Sequence, residues 1–226
     1  MIEFPDPQEC LKPGVIIDSN AGILHSFVNR PAFSLDDPAD RAVALFEYVR
    51  DQVKYEFKLR LGEDAYKASF TLEDGIGFCV RKSILLCGLL RAAGIPSALI
   101  YSDMRDESLP AHIVKVLGTD VMHHHGLTGI FLNDTWYKLD ASLSPDVYEK
   151  RGYRPVVFDG QSDALQSETT LDGSPHITYV KYHGAHHDLV YNDLMAGLAT
   201  GYDNADSDAL DAMGFERVPS IHRDNR

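Results

Sequence analysis

The stretch that decides the fold is residues 75–96, GIGFCVRKSILLCGLLRAAGIP. Ile84, Leu85, Leu86, Leu89, Leu90, Ala92 and Ala93 form an apolar run that closes on Gly94, with Pro96 two positions on. Glycine just past such a run, with proline beyond it, is a helix stop. Apolar residues on nearly every side mark a helix meant for the interior. Cys79 stands in its first turn, behind Gly75 and Gly77, which let the backbone enter closely. There the unpaired N–H groups and the positive end of the helix dipole favour a thiolate. Cys87, in mid-helix, is where a cysteine that only fills space belongs. The same packing role stays open for Cys79 until partners are found.

Composition sets the bounds. The 226 residues are 44% hydrophobic and 24% charged, ordinary for a globular chain with a sizeable core. Thirty-four acidic against 21 basic side chains give a formal net charge of −13. With no Lys/Arg-rich run, neither nucleic acid nor an anionic membrane surface is an expected partner. No apolar stretch reaches membrane-spanning length. The opening MIEFPDPQECLKPG lacks the basic and apolar regions of a signal peptide. Cys79 and Cys87 lie about 12 Å apart along one helix, too far to bridge. Free thiols without an export signal point to a reducing cytoplasm.

Upstream, residues 1–33 read as an irregular lead-in with a strand-like piece at 14–17. Asp37-Pro38 forms an N-cap with proline at the first helical position. Ala42, Phe46, Val49 and Val53 carry an amphipathic helix over 38–53. Residues 55–57 are short and extended, and 58–73 read as a polar loop. Downstream the period becomes alternating. Residues 97–102, 113–117, 127–132, 135–139, 156–158 and 177–182 read as strands. Residues 189–198 look helical, and the tail from about residue 203 is acidic and polar, with one short helix around Ala209. No repeat or linker divides the chain. The expectation is a single α+β domain over 1–226, with its core at about 37–142.

Asn133-Asp134 is a candidate two-residue hairpin turn. Such a turn sets Leu132 opposite Thr135 and Asp140 opposite Leu127. His125 and Leu127 share a face, so His125 and Asp140 become diagonal neighbours about 7 Å apart between backbones, within reach of an imidazole–carboxylate hydrogen bond. A three-residue turn removes this relation. A thiol at a helix start, an imidazole on a strand and a carboxylate on its hairpin partner make a Cys-His-Asp set. In it the imidazole takes the thiol proton and the carboxylate fixes the ring. The Cys79 N–H is an available oxyanion donor.

These residues resemble the transglutaminase-like superfamily of papain-like thiol enzymes, as a bacterial-type single-domain member. The resemblance rests on Gly77-Phe78-Cys79, on Leu89-Leu90-Arg91-Ala92-Ala93-Gly94-Ile95-Pro96, on His125, Trp136 and Asp140, and on the preceding helix with Tyr48-Val49-Arg50 and Val53-Lys54-Tyr55. It covers about residues 37–142. It implies a papain-like fold, a central helix packed on an antiparallel sheet, and acyl chemistry through a thioester, with Cys79, His125 and Asp140 catalytic. The substrate would be a peptide, amide or thioester; Trp136 reads as core or as a wall beside the site. Three readings follow: a thiol hydrolase or acyltransferase, a cyclase closing a thioester-linked chain, and a binding module without turnover. Many members have an aromatic, a glutamate and a proline where Leu127, Gly129 and Ala141 stand here. No calcium signature accompanies the core, and no cofactor is expected.

Other histidines compete. His123 is the fallback base, expected to share the face of His125; His112 opens a run too far from Asp140. His183, His186 and His187 carry metal-like spacing, but Gly184 within them argues for a loop, and no cysteine or carboxylate motif frames them. Asp159 and Asp163 read as turn residues outside the site.

Overall fold

The computed structural model describes residues 2–212. In chain order the elements are α1 (Gly22–Val28), α2 (Pro38–Gln52), β1 (Lys54–Tyr55), α3 (Ala68–Asp74), β2 (Ile76–Gly77), α4 (Cys79–Ala92), β3 (Ser97–Asp106), α5 (Ala111–Leu117), β4 (Val121–Leu132), β5 (Thr135–Leu139), α6 (Pro145–Arg151), β6 (Ile177–His186), α7 (Tyr191–Gly201) and α8 (Ser207–Ala212). Four strands form an antiparallel sheet in the order β5-β4-β3-β6. β1 and β2 form a separate parallel pair that delivers the chain to the start of α4.

Helix α4 is the core. From Cys79 through Arg91 every residue is buried, as its nearly continuous apolar surface requires. It lies against β4 and β3, with α1, α2 and α3 around it. Its charged residues are accommodated one by one. Arg81 pairs with Asp74 at 2.9 Å, and Lys82 Nζ donates to the Arg50 carbonyl near the end of α2 at 3.2 Å. Arg91 donates to the carbonyls of Ser97 (2.7 and 3.1 Å), Lys12 (2.9 Å) and His187 (2.5 Å). One guanidinium thus ties the helix end to the lead-in, to β3 and to the end of β6. Asp37 caps α2 through Ala39 and Asp40, with Pro38 at the first helical position, as expected.

The sequence expectations for several elements need correction. Residues 111–117 are a helix, not a strand: Pro110 precedes it and Gly118 closes it at φ 71°. Those two residues are helix punctuation that outweighs the short alternation of HIVKV. The expected loop over 58–73 holds a 3-10 turn at Glu63–Tyr66 and helix α3, which Gly75 ends at φ 65°. The lead-in contains α1, whose Leu24, Phe27 and Val28 are buried. Val156 and Phe158 are buried on an irregular segment, so their apolar character reflects packing without pairing. His183 and His186 lie on β6, where Gly184 at φ 102° is accommodated inside the strand. Of the acidic tail, α8 falls where a short helix was expected; residues 213–226 lie outside the described residues.

Candidate active site

The hairpin forms as its turn residues require. Asn133 and Asp134 take φ values of 49° and 60°, the left-handed pair that a two-residue turn needs. Leu132 faces Thr135 and Thr128 faces Leu139, the register expected from the sequence. The ladder stops there, and Asp140 continues into a buried position after β5. His125 Nε2 and Asp140 Oδ2 lie 2.8 Å apart. The Cys79 thiol is close enough to the same imidazole to act on its titration through charge and hydrogen bonding. With Nε2 taken by Asp140, that leaves Nδ1 for the sulfur. Cys79, His125 and Asp140 are 8%, 5% and 0% exposed.

Cys79 opens α4 with Phe78 as an extended N-cap that makes no side-chain cap bond. The first-turn N–H groups are therefore not occupied by a cap, and the Cys79 amide is available to an oxyanion. Gly126, next to His125, is the contact that brings strand and helix together. A Cβ there would lie 2.7 Å from Val80 Cα and 3.2 Å from the Cys79 carbonyl carbon. Any side chain would push β4 away from the helix start.

Asp140 is held as a carboxylate by four donated hydrogen bonds. Oδ2 accepts from His125 Nε2 and from the Tyr179 hydroxyl at 2.9 Å; Oδ1 accepts from the Ser142 amide at 3.0 Å and its hydroxyl at 2.5 Å. Burial alone would raise its pKa, but His125 and Ser142 outweigh burial and hold it at about 2. Burial likewise disfavours the His125 imidazolium, and the charges of Asp140 and Cys79 overcome it, raising His125 to about 10. Ser142, two residues beyond Asp140, serves the carboxylate directly. Burial pushes Lys82, one turn beyond Cys79, down to about 7, with Asp140 the leading opposing influence.

Two consecutive histidines precede His125, and a β-bulge separates them from it. Ser102 faces His125 and Met104 faces Met122, so His123 and His124 together oppose the single residue Asp103. His124 takes φ 52°. The extra residue breaks the alternation expected for this strand. His123 therefore does not join the face of His125: its Nδ1 lies 3.3 Å from Asp103, and its ring meets Tyr202 edge-on. Trp136 stacks on Phe4 at 4.5 Å and packs against Phe131. The three histidines at 183, 186 and 187 have separate neighbours, with His183 beside Asp103, His186 beside Tyr101 and His187 near Arg91 and Lys12. Asp159 closes its own turn, and Asp163 accepts from the Lys138 amide.

Sequence reasoning missed Tyr179, Ser142 and Gly126. The Tyr179 ring lies 6.4 Å from that of His125, and its hydroxyl also accepts from the Gln166 amide at 3.1 Å. Tyr179 lies on β6, whose pairing with β3 skips two intervening strands, so no local pattern places it. Gly126 had a readable signal, a glycine within a strand of branched residues, which marks close backbone approach.

A thiol, an imidazole and a buried carboxylate at the junction of a central helix and an antiparallel sheet define the papain-like architecture. Residues 28–141 match the family model of the Transglutaminase-like superfamily, and the chain belongs to that superfamily. Among solved structures it is similar to the "putative cysteine protease" of Cytophaga hutchinsonii, at 15% identity and TM-score 0.48, covering 81% of this chain and 55% of that one. It is also similar to the periplasmic domain of TgpA from Pseudomonas aeruginosa, at 17% identity and TM-score 0.43, covering 61% of this chain and 48% of that one. The chain thus spans about half the length of these structures. No curated protein matches it. Among the described residues no helix is long and apolar enough to cross a membrane.

Proposed function

We propose that the protein is a thiol-dependent acyl-transfer enzyme using Cys79, His125 and Asp140. The observation that carries this reading is the 2.8 Å contact of His125 Nε2 with Asp140 Oδ2, on an imidazole whose titration the Cys79 thiol also shifts. His125 Nδ1 takes the thiol proton, and the sulfur attacks the carbonyl carbon of an amide, peptide or thioester. As the C–S bond forms, the carbonyl electron pair moves onto oxygen, facing the Cys79 amide. Collapse of this adduct expels the leaving group, which takes the proton back from Nδ1, and a thioester remains on Cys79. Water, an amine or an internal nucleophile then gives its proton to Nδ1, attacks the thioester and releases the thiolate. Asp140 keeps Nε2 protonated and supports the imidazolium throughout.

A binding module has no physical need for a thiol and a base in contact, so turnover is the better account of this trio. Three free thiols, Cys10, Cys79 and Cys87, support a reducing cytoplasm as its compartment. The test is capture of an acyl group from cell extract on Cys79, read by mass spectrometry, with Cys79→Ala as the control for sulfur. An adduct on Cys79 that is lost in His125→Ala supports the reading. Failure of the wild-type protein to acquire any acyl group from amide, peptide or thioester donors would overturn it.

A further inference from the structure

The structure assigns a second site: we propose that Asp103, His124 and His183 bind one first-row divalent transition-metal ion of the zinc class. Asp103 lies on β3, His124 in the bulge of β4 and His183 on β6, three adjacent strands of one sheet. One donor atom from each falls within 4.8 Å of the other two, the single such group among the described residues.

Two observations point to a missing partner there. His124 Nδ1 and His183 Nε2 are both buried and without a hydrogen bond. The polar group nearest His183 Nε2 is Asp103 Oδ1, at 2.8 Å, a prospective fellow ligand. Orphaned buried nitrogens are uncommon and call for a bound water or ion. The bulge supplies the second observation. It costs backbone strain at His124, φ 52°, and aims that imidazole at a carboxylate instead of continuing the strand. Helix α7 is cut to fit: a Cβ at Gly197 would lie 2.2 Å from His124 Nε2, and one at Gly201 would lie 2.5 Å from the His123 ring. Nε2 of His124 is therefore covered, and Nδ1 is the atom left to coordinate.

Two imidazole nitrogens and one carboxylate suit zinc and its neighbours, whereas calcium and magnesium favour all-oxygen sets. Three protein ligands leave a position for water. His123 Nδ1, 3.3 Å from Asp103 Oδ1, and the His124 amide at the same distance would orient the carboxylate from behind. The rings of His124 and His183 stack at 4.5 Å with 12° between their planes. Parallel rings cannot both hold one ion in plane, so binding turns one ring about its Cβ–Cγ bond, a soft torsion. His124 is pinned by Gly197, so His183 is the ring that turns.

The test uses the full chain in a Cys79→Ser background, which removes the other sulfur–imidazole pair as a competing ligand set. Chelator-stripped protein is titrated with Zn2+ by calorimetry and with Co2+ by visible absorption. One ion per chain with micromolar or tighter affinity is expected, with a cobalt d–d spectrum lacking sulfur charge transfer. His183→Ala and Asp103→Asn should each weaken binding by roughly tenfold or more, while His186→Ala should not. Absence of stoichiometric binding to the chain with its three ligands intact overturns the proposal, whatever the variants do. So does binding that His183→Ala and Asp103→Asn leave unchanged in folded protein.

Discussion

Gly126 lies against Val80 so closely that a Cβ on the glycine would meet Val80 Cα at 2.7 Å. The neighbouring atom is backbone, at the first turn of the buried helix, and cannot swing aside. Gly126→Ala should destabilise the fold by about 1–3 kcal/mol, as overpacking does. It should also lower activity beyond that loss, because the displaced strand carries His125 away from Cys79. Denaturant unfolding and kcat on the same preparation check both parts.

The Asp140 carboxyl is held at about 2 in the fold against an ordinary value of 3.8. A depressed carboxylate contributes stability that is fully present above 3.8 and lost as pH falls through about 2. Asp140→Asn should therefore be less stable than the parent at pH 7, by about 2 kcal/mol from this linkage. The gap should close as pH falls from 4 toward 2. Urea unfolding of both proteins along that series measures it.

Tyr179 donates to the same Asp140 oxygen that engages His125. Tyr179→Phe keeps the ring and removes a hydrogen bond to a charged group, a change of about 1.5–3 kcal/mol. Expected outcomes are a stability loss in that range and a fall in kcat with KM little changed, since the tyrosine positions the carboxylate without a role at the thiol. Equilibrium unfolding and steady-state kinetics on one substrate decide it.

Burial raises the Cys87 thiol to about 11 and raises Cys10 as well. Cys79 is the cysteine with an imidazole partner. Iodoacetamide at pH 7 should label Cys79 first, and peptide mass spectrometry will show Cys10 and Cys87 reacting only on unfolding. His125→Ala should slow the Cys79 reaction by removing the base that accepts its proton.

Much of this centre was legible because its rules are local. Glycine and proline punctuation gave α4 and its end, and Asn133-Asp134 fixed the register that joins His125 to Asp140. What escaped was set by contacts distant in sequence or by an extra residue. Alternation put His123 with His125, but the bulge opposite Asp103 breaks that alternation, and a bulge leaves no composition signal. Tyr179 reaches Asp140, and His183 reaches Asp103, through the pairing of β6 with β3, which depends on the whole sheet. The helix at 111–117 was missed because a short alternating run outweighed the Pro110 and Gly118 that flank it.

The strand order places β3 between β4 and β6. Its partner on one flank follows within fifteen residues, but the other is translated about seventy residues after β3 ends, judging from Asp106 and Ile177. At roughly 5–20 residues per second on the ribosome, that flank stands open for roughly 4–14 seconds. Until β6 emerges, the nascent chain carries an unpaired edge beside its most apolar helix, a surface that a holding chaperone would cover or another nascent chain would seize. Slowing translation between residues 140 and 176 lengthens that interval, so synonymous codon choice there becomes a handle on yield that leaves the mature protein unaltered.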